Sequence, residues 1–328
     1  MQTKREDYLF LSSMLRAREP RMLSRDKAER MLDAPSYGEC AKLLTDCGYE
    51  DMSQLSASEI DRALSRYRAE IFRELSLQEP AKDLVDLFRV KYDYHNAKAM
   101  LKAEATGSEP LPVMSASGRV SPETMLAAYR EERLHELPAP LARAIAEGRE
   151  VLARTANPQL ADFAMDRATF EELRALSAEK GDFVKGYVSI LADSTNLKSA
   201  VRTARLGKNA DFLRLALVPG GKLDAERFAS AGGEGLAALF NGSALAEAAS
   251  LGAAAAEGGS MTAFERACDN AVMSYLRGAK LVSFGEEAVL AYLAAVENEI
   301  TAVRMILTGR LAGIAPQTIR ERLRDLYA

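Results

Sequence analysis

The chain writes one short pattern three times, and this self-similarity limits its possible folds more than any other feature. In the stretch from Ser283 to Gly313, Glu299 is followed five residues later by Arg304 and fourteen residues later by Gly313. The same offsets between acid, base and glycine recur at Asp193, Lys198 and Gly207, and at Asp93, Lys98 and Gly107. The acids are spaced by 100 and 106 residues, which marks an internal repeat of about a hundred residues.

Apolar positions keep step with the charged ones. Leu87, Tyr187 and Leu293 coincide, as do Val90, Ile190 and Val296. Ala97 aligns with Leu197 and Val303, and Leu101 with Val201 and Leu307. Steps of three, seven and four residues stay on one face of an α-helix, so a long helix is predicted in each repeat. The acid and the base, five residues apart, lie roughly 140° apart around such a helix. That separation excludes the i,i+4 pairing of neighbours on one face, so each is expected to meet a different partner. The repeats are placed at 1–118, 119–219 and 220–328.

Composition narrows the class. With 328 residues there is material for two or three cores, and 48% hydrophobic with 27% charged residues describes a globular rather than a disordered chain. A net charge of −4 leaves no global basic field, so no nucleic-acid partner is expected. Cys40, Cys47 and Cys268 are odd in number, and Cys40 and Cys47 stand about 10 Å apart along a helix, too far for a disulfide. Three thiols and two histidines point to a reducing compartment and away from a zinc site. No run reaches the roughly 18 apolar residues of a membrane span. The opening MQTKREDYLF is too charged for a signal peptide. Any membrane contact is expected through other proteins of a complex.

Taken in order, the chain reads as helices. An amphipathic run from Thr3 to Arg18 stops before Pro20, and a long helix follows Pro80 and ends near Gly107. Residues 106–122 form a loop by their Pro, Gly and Ser content, after which Ser121 and Pro122 supply an N-cap and a first-turn proline. Capping-box spacing occurs at Ser36/Glu39, Ser56/Glu59, Thr169/Glu172, Thr262/Glu265 and Ser283/Glu286. The Ala/Gly-rich segment 229–260 predicts short helices with joints. Period-two runs of β-branched residues are nearly absent, so the expected class is all-α.

The endings YLAAVENEITAVRMILTGRLAG and VKYDYHNAKAMLKAEATG resemble the C subunits of the bacterial and archaeal A/V-type rotary ATPases, relatives of the d subunits of vacuolar proton pumps. The likeness extends from the opening YLFLSSMLRARE to the closing IRERLRDLYA. Its most specific element is Asp-x-x-Asn-x-Lys with a glycine nine residues past the lysine, seen at Asp93, Asn96 and Lys98 and again at Asp193, Asn196 and Lys198. The third copy departs from it, with Ala302 in the Asn position and Arg304 for Lys, while Glu297 to Ile300 looks like the family's own third-repeat form. The resemblance implies a non-catalytic, all-helical protein of three pseudo-symmetric bundles arranged as a funnel. It also implies partners: shaft subunits of the D and F type and the membrane proteolipid ring. Such a protein sits on the cytoplasmic face of the cell membrane and carries no cofactor.

Enzyme signatures weigh little against this. Gly233-x-Gly235-x-x-Ala238 has the spacing of a dinucleotide loop but no strand in front of it. Gly220-Gly221-Lys222 lacks the earlier glycine of a phosphate loop, and Leu223 stands where Ser or Thr would hold Mg²⁺. His95 beside Asp93 has no nucleophile near it in sequence, and its counterparts are Thr195 and Thr301; His135 reads as a solvated helix-end residue. The repeated acid, Asn and base read either as links between helices or as contacts to shaft or ring. The glycines read as helix C-caps with positive φ. Arg202, Arg205, Lys208, Arg310, Arg320 and Arg324 read either as a solvated face or as contacts to lipid headgroups or ring loops. The rival reading is a helical-repeat adaptor that binds a partner helix, although such adaptors use shorter repeats of roughly 34 to 47 residues. A helical enzyme is the third reading.

Overall fold

Helix formation here follows local chemistry closely. Ser56 and Glu59 close a reciprocal capping box at the start of the helix Ala57–Ser76. That helix then buries Ile60, Ala63, Leu64, Arg68, Ile71, Phe72 and Leu75, a run of three- and four-residue steps on a single face. The computed structural model describes residues 4–328, with Gly233 and Glu234 followed by backbone alone. Among the described residues there are fifteen α-helices and no β-strand, so the chain is all-α.

The chain divides into two compact units. The first gathers residues up to Val85, Gly242–Leu251 and Gly259–Ala328; the second holds Asp86–Asn241 and Gly252–Gly258. In the first unit lie α1 (Leu9–Arg18), α2 (Arg25–Asp33), α3 (Tyr37–Lys42) and α4 (Ala57–Ser76). The chain leaves this unit within α5 (Lys82–Thr106). The second unit holds α6 (Pro122–Arg130), α7 (Ala139–Thr155), α8 (Pro158–Ser177), α9 (Asp182–Arg205), α10 (Ala210–Ala216) and α11 (Ala225–Leu239). After α12 (Ala246–Ala256) the chain is again in the first unit, with α13 (Met261–Arg277), α14 (Glu286–Leu311) and α15 (Pro316–Arg322).

The first unit is built around α14. This helix is apolar on every side, from Ala288 through Val296 and on to Ile300, Val303, Ile306 and Leu307, all buried. A helix with apolar residues all round is stable in water only when other helices cover it, and α1, α2, α3, α4, α13 and α15 do so. In the second unit α7 and α8 form an antiparallel hairpin, α9 packs on α8, and α10 and α11 pack on α9. Phe88 and Tyr187 stack with ring centroids 5.9 Å apart, setting α5 beside α9.

Local signals located some helix starts and misplaced others. Ser36, Ser56 and Ser121 are N-caps. Thr169 and Glu172 are not at a start: α8 begins eleven residues earlier, capped by Asn157 with Pro158 in its first turn, and the Thr169 hydroxyl donates to Met165 within the helix. Asn-Pro outcompetes an internal Thr because proline presets the first helical φ. Ser260 caps α13 in place of Thr262, and α14 starts after Gly285, not Ser283. In the Ala/Gly-rich segment, α11 contains a non-helical Gly232 at φ 62° and ψ −177°. The Gly233, Gly235 and Ala238 spacing falls within α11, and the side-chain surroundings of Gly233 lie outside the described residues. The run near Thr3 starts as a 3-10 turn, Arg5–Tyr8, Thr3 itself lying outside the described residues. Cys40, Cys47 and Cys268 are buried free thiols, and burial pushes the Cys40 thiol up to about 11.

Candidate functional site

Each of the three repeated acids is buried in the middle of a long helix and holds the backbone at the start of another. Asp93 on α5 accepts the N–H of Val120 through Oδ1 at 3.1 Å and Arg119 Nε through Oδ2 at 2.7 Å. Asp193 on α9 accepts the N–H groups of Lys222 at 3.0 Å and Leu223 at 3.3 Å. Glu299 on α14 accepts the N–H of Leu23 at 2.5 Å and the Tyr49 hydroxyl at 2.7 Å. Val120, Leu223 and Leu23 each stand immediately before an N-cap: Ser121 of α6, Asp224 of α11 and Ser24 of α2. The three joints therefore share one rule: a buried carboxylate fixes where the next helix begins. A helix N-terminus carries partial positive charge, which favours an anion close by.

Burial opposes these charges. Desolvation raises the carboxyl groups of Asp93, Asp193 and Glu299 above the usual range, against the pull of their donors. Only Asp93 also has a guanidinium, and Arg119 extends the joint by donating to Glu172 of α8 at 2.7 Å. Glu172 in turn accepts the Tyr94 hydroxyl at 2.9 Å. The Tyr49 hydroxyl is held well above its ordinary range, chiefly by burial and then by the Glu299 charge.

The asparagines add a second clasp. Asn96 Nδ2 donates to the carbonyl of Ser115 at 2.8 Å while its Oδ1 accepts the N–H of the same residue at 2.7 Å. Asn196 does the same to Val218, at 2.9 and 2.8 Å. One amide thus satisfies both backbone groups of a loop residue that has no secondary-structure partner. In the third copy Ala302 replaces the amide, and the reason is local. The chain ahead of Leu23 is α1 followed by the 3-10 turn Glu19–Arg21, so its backbone groups already pair internally.

Glycine lets the backbone come close. A Cβ placed on Gly118 would collide with Asp93 Oδ1, and one on Gly221 with Asp193 Oδ1. At the matching register the third copy has Arg21, and there a glutamate with one more methylene replaces the aspartate.

The bases look elsewhere, toward the surface. Lys98 Nζ meets Asp166 of α8 at 2.5 Å, and Arg304 Nε meets Asp61 of α4 at 2.6 Å. Lys198 is half-buried on α9. Glu297 forms a buried pair with Arg68 at 3.0 Å. Gly107, Gly207 and Gly313 end α5, α9 and α14 at φ 67°, 62° and 70°. In each case the next N–H returns to a carbonyl five residues back: Ser108 to Ala103, Lys208 to Thr203 and Ile314 to Gly309.

A model of the family described as ATP synthase (C/AC39) subunit matches residues 11–322. The chain belongs to the ATP synthase (C/AC39) subunit family. It is thereby a structural rather than a catalytic component of an A/V-type ATPase. The C subunit of the V-type sodium ATPase of Enterococcus hirae is 23% identical over 98% of this chain and 99% of its own length. The C subunit of the A-type ATP synthase of Methanocaldococcus jannaschii is 24% identical over 97% of this chain and 86% of its own length. The C subunit of the V-type ATP synthase of Thermus thermophilus is 26% identical over 68% of this chain and 71% of its own length.

In this C/AC39 family member the two histidines sit in ordinary structural settings. His95 Nε2 lies 3.0 Å from the carbonyl of Val113, and His135 is exposed in a 3-10 turn. No cluster of three His, Cys, Asp or Glu residues that could hold a metal ion occurs among the described residues. Several of the arginines that read as a basic face are tied inward. Arg310 donates to the carbonyl of Ala34, Arg320 pairs with Glu29 and Asp33, Arg324 pairs with Asp269, and Arg205 donates to the carbonyl of Ala255. Lys208 lies over the Phe212 ring. Sequence reading passed over Gly118, Arg119 and Tyr49, and weighed Gly221 only as part of a phosphate loop. A signal was present: Gly118-Arg119-Val120-Ser121 and Gly221-Lys222-Leu223-Asp224 share the order glycine, base, aliphatic, N-cap.

Proposed function

We propose that this chain is the central-stalk component that couples the rotor shaft to the membrane proteolipid ring. Its partners are shaft subunits of the D and F type and the ring, and the coupled ion is a proton or sodium. The proposed body is a funnel of three repeats at 1–118, 119–219 and 220–328. The observation that carries this reading is the joint itself, in a member of the C/AC39 family. Asp93 holds the residue ahead of the first α-helix of the second repeat, Asp193 does the same for the third, and Glu299 holds the residue ahead of α2 in the first. A chain whose last repeat captures its first is suited to a stiff collar. Stiffness and contact area are what transmission of torque requires, with no reactive residue and no cofactor.

Repeats of this length argue against the helical adaptor, whose units are less than half as long. No helix among the described residues is long and apolar enough to cross a membrane. Attachment at the cytoplasmic face of the membrane then runs through the partner proteins. The test is affinity purification of the tagged chain after mild detergent extraction. Shaft and ring proteins are expected to come with it; a tagged chain recovered repeatedly without either overturns the proposal.

A further inference from the structure

Two arginines of the basic set, Arg320 and Arg324, take part in none of the three joints. Both line a cavity of about 590 Å³ within the first unit, a volume in the range of small-ligand sites. Arg25, Arg266 and Arg277 line it as well, so five guanidinium groups from α2, α13, α15 and the segment after α15 share one concavity. Its wall carries three acidic side chains, Glu29, Glu247 and Asp325, and the last residue, Ala328. Glu29 is engaged by Arg320 Nε at 2.6 Å, and Asp325 stands 3.6 Å from Arg277. Asp33 and Asp269, outside the wall, brace Arg320 and Arg324. Arg266 donates to the neutral carbonyl of Glu321 at 2.9 Å and has no carboxylate partner among the described residues. Arg25, exposed on the first turn of α2, has no hydrogen-bonded or ionic partner among them.

We infer that this cavity binds a phosphoryl group, either a free phosphate compound or a lipid headgroup. A guanidinium presents a planar fork of donors that matches phosphate oxygens two at a time. Arginines braced from behind lose less freedom on binding than unrestrained ones do. Arg25 and Arg266 supply positive charge with which no acidic side chain among the described residues forms an ion pair.

The experiment uses the purified full-length chain and two arms. Calorimetric titration with pyrophosphate probes the free anion; co-sedimentation with phosphatidylcholine vesicles containing phosphatidylglycerol probes the headgroup. Arg25→Gln and Arg266→Gln break no ion pair, and an unchanged thermal melt confirms that each variant folds. Pyrophosphate binding that weakens about tenfold in each variant supports the site. Pyrophosphate binding without vesicle capture assigns a free phosphate compound; vesicle capture that disappears in the double variant assigns the headgroup. Binding of neither probe, or binding equally strong in wild type and double variant, overturns the inference.

Discussion

Glu299 accepts the backbone N–H of Leu23 at 2.5 Å, joining residues 276 positions apart in the chain. The glutamate is 2% exposed and its second oxygen accepts the Tyr49 hydroxyl, so both donors meet it in a buried site.

Glu299→Ala leaves that N–H and that hydroxyl buried and unpaired. A loss of about 2–4 kcal/mol is expected, since each unsatisfied buried group costs about 1–3 kcal/mol. Tyr49→Phe removes only one donor and is expected to cost about 1 kcal/mol. Urea unfolding measures both, and similar costs for the two variants would contradict the joint.

Asp193 is expected to give stability that rises on mild acidification. Burial raises its carboxyl above 3.8, and no side-chain cation bonds to it, only the N–H groups of Lys222 and Leu223. A carboxyl raised in the folded state is least favourable when ionised, so its penalty is fully present above the folded pKa and fades as pH falls toward 3.8. Wild type is therefore expected to gain stability relative to Asp193→Asn on acidification through that window. Denaturant midpoints of the two proteins, measured from neutral pH down to mild acid, check the sign. A difference that stays constant or runs the other way counts against a raised pKa.

Gly118→Ala and Gly221→Ala place a methyl group on a carboxylate oxygen. Forcing such a contact in a packed site costs about 1–3 kcal/mol. The same change at Gly235, within α11, meets only the Ala231 methyl at 3.2 Å and is expected to be milder. Thermal melts of the three variants rank them.

The surface pairs behave differently from the buried acids. Lys98→Ala and Arg304→Ala remove partly exposed ion pairs and are expected to change stability by less than about 1 kcal/mol. Asn196→Ala strands both backbone groups of buried Val218 and is expected to cost about 2 kcal/mol or more. A series in which the lysine matters more than the asparagine would reverse the assignment of roles.

The helical class was legible because long apolar periodicity is a property of consecutive residues. The separate directions of acid and base followed from their five-residue spacing alone: Asp93 faces Arg119 and Val120 while Lys98 faces Asp166. What the acids hold was not legible, since a backbone N–H has no signature of its own in a sequence. The glycines at 118 and 221 were hidden for a related reason. Their role is the absence of a Cβ beside a carboxylate that lies 25 or more residues away. Thr169 with Glu172 misled because capping-box spacing can also occur inside a helix whose start is fixed elsewhere, here by Asn157 and Pro158. The joining of the chain's first and last segments in the first unit depends on long-range packing around α14, to which local pattern is blind.

Ala302 stands where the other two repeated helices carry asparagine. Asn96 and Asn196 serve loop backbones with no other source of hydrogen bonds, whereas the stretch before Leu23 coils into helix and supplies its own. The difference among the three positions follows the needs of the neighbouring main chain. Asparagine at position 302 would add a polar group with nothing to serve.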